Sequence, residues 1–139
     1  MNKDCVFCQI ITKKEPARIV HRDDETIAFF PRVMNVKGHI IVASVAHYTD
    51  LFQIQGNVLS SLMNTTQRLA ELCKRQLGAD GINLLHASGE TAQQSVLHFH
   101  IHLLPRFKDD NLDTWPRLPE WNADLDKLLM ELKAHEKGT

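Results

Sequence analysis

No apolar run in this sequence approaches the roughly 20 residues that a membrane-spanning helix needs, so a bilayer span is excluded. Met1-Asn2-Lys3-Asp4 leads into no hydrophobic signal core, and the expected location is the cytoplasm. Net charge is almost absent, with 16 Lys+Arg against 17 Asp+Glu and a formal value of −1. Without a global field, neither nucleic acid nor a membrane surface is an expected partner, and an anionic ligand must be held by a local site. Cysteine is scarce. Three residues without an export signal read as reduced thiols, available for metal or burial. Repeats, low-complexity segments and Gly/Ser/Pro-rich linkers are missing too, so residues 1–139 read as one domain. What remains is ordinary globular composition, 43% hydrophobic and 24% charged, in a chain able to bury about two-thirds of its unfolded surface. The unusual feature is eight histidines.

Asp4 is placed to cap a short helix over residues 5–11. Segments 18–21 and 26–30 read as short strands joined by the turn Asp23-Asp24-Glu25, and Pro31 stops the second. Gly38 opens a β-branched run to Ser44 that suits a buried strand. Leu59, Leu62, Met63, Leu69, Leu72, Cys73 and Leu77 predict a helix over 57–77, with Asn57 or Ser60 as its cap and Gly78 as its end. Residues 82–87 and 96–104 read as strands, and the chain is expected to be irregular after Pro105. A last amphipathic helix is expected over about 120–135, with Leu125, Leu128, Leu129 and Leu132 on one face and Lys127, Lys133 and Lys137 solvated. The sum is an α+β fold with a mainly antiparallel sheet.

His98-Phe99-His100-Ile101-His102 is the informative segment. Strand side chains alternate, so three imidazoles are expected on one face while Phe99, Ile101 and Leu103 enter the core. A merely solvated face would mix Lys, Thr, Ser and Glu. Neighbouring histidines lie roughly 6.7 Å apart and the outer pair roughly 13 Å, whereas a nitrogen–metal bond is about 2 Å. One ion cannot take both outer rings, so the three have separate jobs. Imidazole attacks phosphorus, and near neutrality it alternates between base and acid. Elsewhere, Cys5-x-x-Cys8 has the spacing of half a zinc site, a spacing shared by buried thiols and redox pairs; a thioredoxin-like βαβ context for the latter is missing. Cys73, on the apolar face of the long helix, reads as core packing. His39 reads first as a satisfied near-core histidine and second as a supporting site residue, and His21 and His86 carry no pattern.

The run His98 to Leu104 matches His-φ-His-φ-His-φ-φ, with φ apolar, and the chain resembles the histidine-triad (HIT) family, in its bacterial zinc-binding, nucleoside phosphoramidase-like branch. Gln94-Ser95-Val96 is similar to the family's Gly-Gln-Ser-Val lead-in, and Pro105-Arg106-Phe107 continues as in many bacterial members. Cys5-x-x-Cys8, Phe29-Phe30, Gly38 to Val42 and His47 fall in the family's order, so the resemblance covers about residues 3–118. It implies a five-stranded antiparallel sheet with helices, and a homodimer that joins two such sheets into ten strands. It implies a hydrolase or transferase that cleaves nucleoside 5′-phosphoramidates or dinucleoside polyphosphates at the α-phosphate, through a nucleotidyl-histidine intermediate. By that resemblance His100 is the nucleophile, and His102 contacts phosphate oxygens and handles charge at the leaving group. The main chain around the lead-in, with Gln94 and Ser95, contacts the phosphate and the bridging or leaving atom. From their own positions Phe29 and Ile27 are candidates to flank a purine base, with core packing the commoner use of such strand residues, and Ser88 is a candidate substrate contact. In zinc-binding members, Cys5 and Cys8 are completed by His47 and His98 into a closed structural site that braces the catalytic strand.

Three positions depart from the family pattern. Pro31 stands where an acid grips the ribose hydroxyls, with Arg32 beside it; Ala87-Ser88-Gly89 replaces Asn-x-Gly; and Gln93 replaces a glycine near the phosphate. Pro31 and Ala87 lend weight to an alternative, a purine-nucleotide-binding adaptor with weak catalysis. A zinc hydrolase using the triad at an open metal is the third reading, and the histidine spacing opposes it.

Overall fold

The computed structural model describes residues 2–136, and Lys137 lies outside them. The elements follow in the order α1 (Val6–Ile11), β1 (Ile19–Arg22), β2 (Thr26–Phe29), β3 (Ile40–Ser44), α2 (Gly56–Leu77), β4 (Gly81–Leu85), a 3-10 turn (Glu90–Ala92), β5 (His100–Arg106) and α3 (Leu125–His135). The five strands form one antiparallel sheet in the order β1-β2-β3-β5-β4. This is the α+β architecture expected from the sequence.

Strand alternation divides the core in two. Ala28, Ile40, Val42, Ile101 and Leu103 face α2 and pack with its Leu62, Leu69 and Cys73. Ile27, Phe29, Ile41 and Ala43 face the other way, against Phe7, Cys8 and Ile11 of α1. Register then fixes the histidines. Ile41 pairs with His102 and Ala43 with His100, so both rings lie on the α1 side while Ile101 and Leu103 enter the α2 core.

Several boundaries differ from expectation for physical reasons. Cys5, not Asp4, caps α1: its Sγ accepts from the Cys8 backbone N–H at 3.4 Å. Neither Asn57 nor Ser60 caps α2, which starts at Gly56 after Gln55 with no side-chain cap. The helix is rotated relative to its leucine pattern: Val58, Thr65 and Thr66 are buried, while Met63 and Leu72 are exposed. β5 begins at His100 rather than Val96, and it continues through Pro105 to Arg106. Proline is tolerated there because β3 pairs no further than Ile40 opposite Leu103, leaving Pro105 paired only with Ile82 of β4. Beyond the strand, Arg106 ties down the following loop through Asp110, Asn83 and Thr114. That contact holds the Asp110 carboxyl well below the usual carboxylate range. α3 is shorter than expected, starting after the cap Asp124, and its leucine face is solvent-exposed with no buried residue.

Gly38 is the tightest point next to the site. Its φ is +84°, and a Cβ there would lie 2.5 Å from Leu77 Cδ1 and 3.1 Å from Pro105 Cγ. Gly38→Ala is therefore expected to destabilise the fold by about 2 kcal/mol or more, combining left-handed strain with overpacking. Urea unfolding measures it, and a change below about 0.5 kcal/mol would contradict the close approach.

Candidate active site and metal centre

Cys5 and Cys8 sit at the cap and the third position of α1, which puts both thiols on one side of its first turn. His47, after β3, and His98, before β5, meet them there. The four ligand atoms lie within 4.8 Å of one another. Cys5 Sγ is 3.4 Å from His98 Nδ1, Cys8 Sγ is 3.3 Å from His47 Nδ1 and 3.6 Å from His98 Nδ1, and the two Nδ1 atoms are 3.1 Å apart. A tetrahedron with Zn–S bonds of about 2.3 Å and Zn–N bonds of about 2.1 Å has edges of roughly 3.4–3.8 Å, and the separations above lie within about 0.3 Å of them. The donor set and its spacing fit that ion.

The protonation state fits as well. His98 Nε2–H donates to the Ser44 carbonyl at 2.7 Å, which leaves the Nδ1 lone pair pointing into the cluster. Burial, together with the neighbouring His47 and His100, lowers the His98 pKa to about 4, so the ring is neutral as a ligand must be. Burial pushes the Cys8 thiol up, and only a cation in the cluster would reverse that. His98 lies on the same α1 side of the sheet as the other two histidines, its ring 5.8 Å from the Phe7 ring that also meets His100, although residues 96–98 bend before the strand begins.

His100 and His102 share that face, with ring centroids 5.0 Å apart. His100 Nδ1–H donates to the His98 carbonyl at 2.6 Å, so the Nε2 lone pair is the available nucleophile. Burial, reinforced by the nearby His102 and His86, lowers its pKa to about 4. The Phe7 ring meets it edge-on at 5.0 Å. His102 Nδ1 lies 3.0 Å from Nε2 of the buried His39, and burial lowers the pKa of both. The His39 Nδ1 is buried without a partner. A bare acceptor is the lesser cost there, so the shared hydrogen sits on His39 Nε2. That tautomer leaves His102 with an N–H on Nε2, a donor for a phosphate oxygen or a leaving group. His39→Phe, which removes the donor and keeps the bulk, is expected to lower kcat about tenfold with little change in KM. An unchanged kcat would remove His39 from the site.

The Gln94 amide is engaged within the protein: Oε1 accepts from Gly89 N–H at 2.8 Å, and Nε2 donates to the carbonyls of Thr49 at 2.6 Å and Val96 at 3.1 Å. A phosphate contact from Gln94 is left to its main chain. Ser95 is exposed beside it. Gln93 takes φ 72°, the left-handed conformation that glycine accommodates without strain. Ser88 Oγ accepts from Leu51 N–H at 2.8 Å and lies 2.6 Å from His86 Nε2. His86 in turn donates Nδ1–H to the His100 carbonyl at 2.8 Å and stacks on Phe99 at 4.6 Å. His86 is the site residue whose part the sequence did not show; His39 had a supporting site role as its second reading, on Gly38-His39 at the head of a β-branched run.

A cleft of about 270 Å³ opens beside these rings. Its floor is Phe7, Ile10, Phe29 and Ile41. Phe29 pairs with Ile41, and Ile41 with His102, so floor and histidine form one cross-strand row. Ile27 lies in the next row, with Ala43 and His100, and is fully buried.

Residues 12–109 match the HIT domain family. An uncharacterised HIT-like protein of Methanocaldococcus jannaschii is 33% identical over 93% of this chain and 98% of its own length. An adenylylsulfatase of Arabidopsis thaliana is 28% identical over 95% of this chain and 67% of its own length. The crystal structure of a zinc-bound histidine triad family protein from Mycobacterium smegmatis superposes with a TM-score of 0.76 at 26% identity, covering 96% of this chain and 98% of that one.

Proposed function

Because the chain belongs to the HIT family of nucleotide-binding proteins and hydrolases, we propose that it cleaves nucleoside 5′-phosphoramidates or dinucleoside polyphosphates at the α-phosphate. The observation that carries this reading is His100, a neutral imidazole whose Nδ1–H is fixed on the His98 carbonyl, beside an aromatic-floored cleft and a second histidine. A purine over Phe29 and Ile41 sets the α-phosphate at the histidine end of the same row.

His100 Nε2 attacks the α-phosphorus as the P–N or P–O bond to the leaving group breaks. His102 Nε2–H hydrogen-bonds the phosphate oxygens and the leaving atom as negative charge builds, while the departing amine takes its proton from solvent and a departing phosphate needs none. Water then attacks the nucleotidyl-histidine, the P–Nε2 bond breaks, and the water proton passes to solvent. In this reading Ser95 and the main chain of Gln94 meet the phosphate.

Cys5, Cys8, His47 and His98 would hold a zinc ion with a purely structural part. By fixing His98 it fixes the carbonyl that orients His100. The relative that is zinc-bound supports this, as does the inward-facing donor set. A homodimer with a ten-stranded sheet completes the proposal, supported by the open edge of β4 with its exposed Leu84 and by the uncovered leucines of α3. Incubating the protein with adenosine 5′-phosphoramidate tests the reaction: adenosine monophosphate and ammonia are the expected products, and no turnover of it or of diadenosine polyphosphates would sink the assignment.

A further inference from the structure

The side-chain chemistry of the cleft is unusually one-sided. Apart from its apolar floor and the apolar residues around it, only two side chains on its wall carry polar atoms, and both are guanidinium groups: Arg18, leading into β1, and Arg32, after β2. Among the described residues no acid, amide or hydroxyl side chain lines it. The β1–β2 hairpin explains the convergence, since antiparallel pairing sets Ile19 opposite Phe29 and so brings residue 18 beside the segment 30–32. Backbone pairing confirms the approach, with Phe30 N–H donating to the Arg18 carbonyl at 3.0 Å.

A ribose diol presents two donors and is gripped best by an acceptor. Pro31 has no N–H and no polar side chain, and a guanidinium only donates. A phosphate ester on the same ring is what two guanidinium forks suit, through paired charge-assisted bonds. Arg18 makes no ion pair among the described residues. Arg32 touches Glu15 at 3.4 Å, but that pair is open to water, with side-chain exposures of 81% and 39%, and is weak. Glu15 holds the guanidinium at the rim and competes with a ligand for it.

We infer that the cleft selects nucleotides whose ribose carries a phosphate at the 2′ or 3′ position, bound by Arg18 and Arg32, over nucleotides with an unmodified diol. This rests on the reading that the cleft seats the nucleoside. It names a substrate class for that site: adenylyl compounds already phosphorylated on the ribose, of the kind made by a nucleotide 2′- or 3′-kinase.

Calorimetric binding to the full zinc-loaded chain tests it with adenosine 5′-monophosphate, adenosine 2′,5′-bisphosphate and adenosine 3′,5′-bisphosphate. At low salt one bisphosphate is expected to bind about tenfold tighter than the monophosphate, the scale of a partly screened charge-assisted contact, and the preference should shrink as salt is added. In the double variant Arg18→Ala, Arg32→Ala the ratio should fall to about one, whereas Glu15→Gln should raise it and Lys127→Ala, on the remote α3, should leave it. Which bisphosphate wins assigns the hydroxyl. Equal binding of all three, or a preference that survives the double variant, overturns the inference and leaves the nucleotide reading standing. Failure of all three to bind overturns both.

Discussion

Replacing His100 with asparagine should reduce kcat/KM for a nucleoside 5′-phosphoramidate by about 10⁴-fold or more, the scale on which removal of a covalent nucleophile is felt. Asparagine keeps a donor for the His98 carbonyl and near-equal bulk, so folding should be retained and the loss falls on chemistry. A His102→Asn change should cost less, because a leaving group that needs little proton assistance still departs from an intact nucleophile. The pH profile offers a second view of the same ring. Burial lowers its pKa from 6.5 to about 4, so the lone pair stays available across the range in which an exposed histidine would protonate. The acid limb of kcat/KM should therefore fall nearer pH 4 than 6.5, and a limb at 6.5 would mean that a different group carries the attack. Stability follows the same sign. The unfolded chain takes up this proton below 6.5 while the folded one resists it, so this contribution to stability, complete above 6.5, is lost as pH falls toward 4.

The second large effect concerns the metal centre. Cys8→Ser, or stripping the wild-type protein with a chelator, should lower the melting temperature by on the order of 10 °C, since the free energy of binding a structural ion is folding free energy. Cys73→Ser should do less, because Cys73 lies on the core face of α2 and is not one of the four clustered ligands. Activity separates the roles. His98 is both a ligand and the residue whose carbonyl orients His100, so the folded apoprotein should lose about tenfold in kcat, as expected when an outer partner is loosened. Complete loss of activity in protein that is still folded would instead restore the reading in which the metal itself performs the hydrolysis. Melting followed by circular dichroism, with turnover measured below the transition, resolves the two.

Much of this was legible before any coordinates. The apolar runs Ile27 to Phe29 and Ile40 to Ala43, and the period-two alternation from His98 to Leu103, reported the strands. The cysteine spacing reported half of the metal set from local sequence. The bend at 96–98 was not legible, and neither was the contact of His98 with Cys5, 93 positions earlier, which local pattern cannot register. The same holds for His86. Its bond to the His100 carbonyl exists because β4 lies next to β5, and no spacing in the sequence encodes that neighbour. Helix α2 turned by part of its circumference because Thr65 and Thr66 could be buried, Thr66 with its hydroxyl bonded back to the Leu62 carbonyl at 2.8 Å. The engagement of Gln94 inside the protein was hidden for the same reason: an amide in a motif shows its type but not its partners. Arg18 and Arg32 are ordinary surface arginines until the hairpin brings them to one cleft.

The most direct test of the account is to mix the protein with adenosine 5′-phosphoramidate, stop the reaction within its first turnovers in alkali, where phosphohistidine-type bonds survive, and map the product by peptide mass spectrometry. An adenylyl group on the peptide containing His100, absent from the His100→Asn variant, is the predicted result. An adduct on another residue, or turnover that persists in His100→Asn, would contradict it.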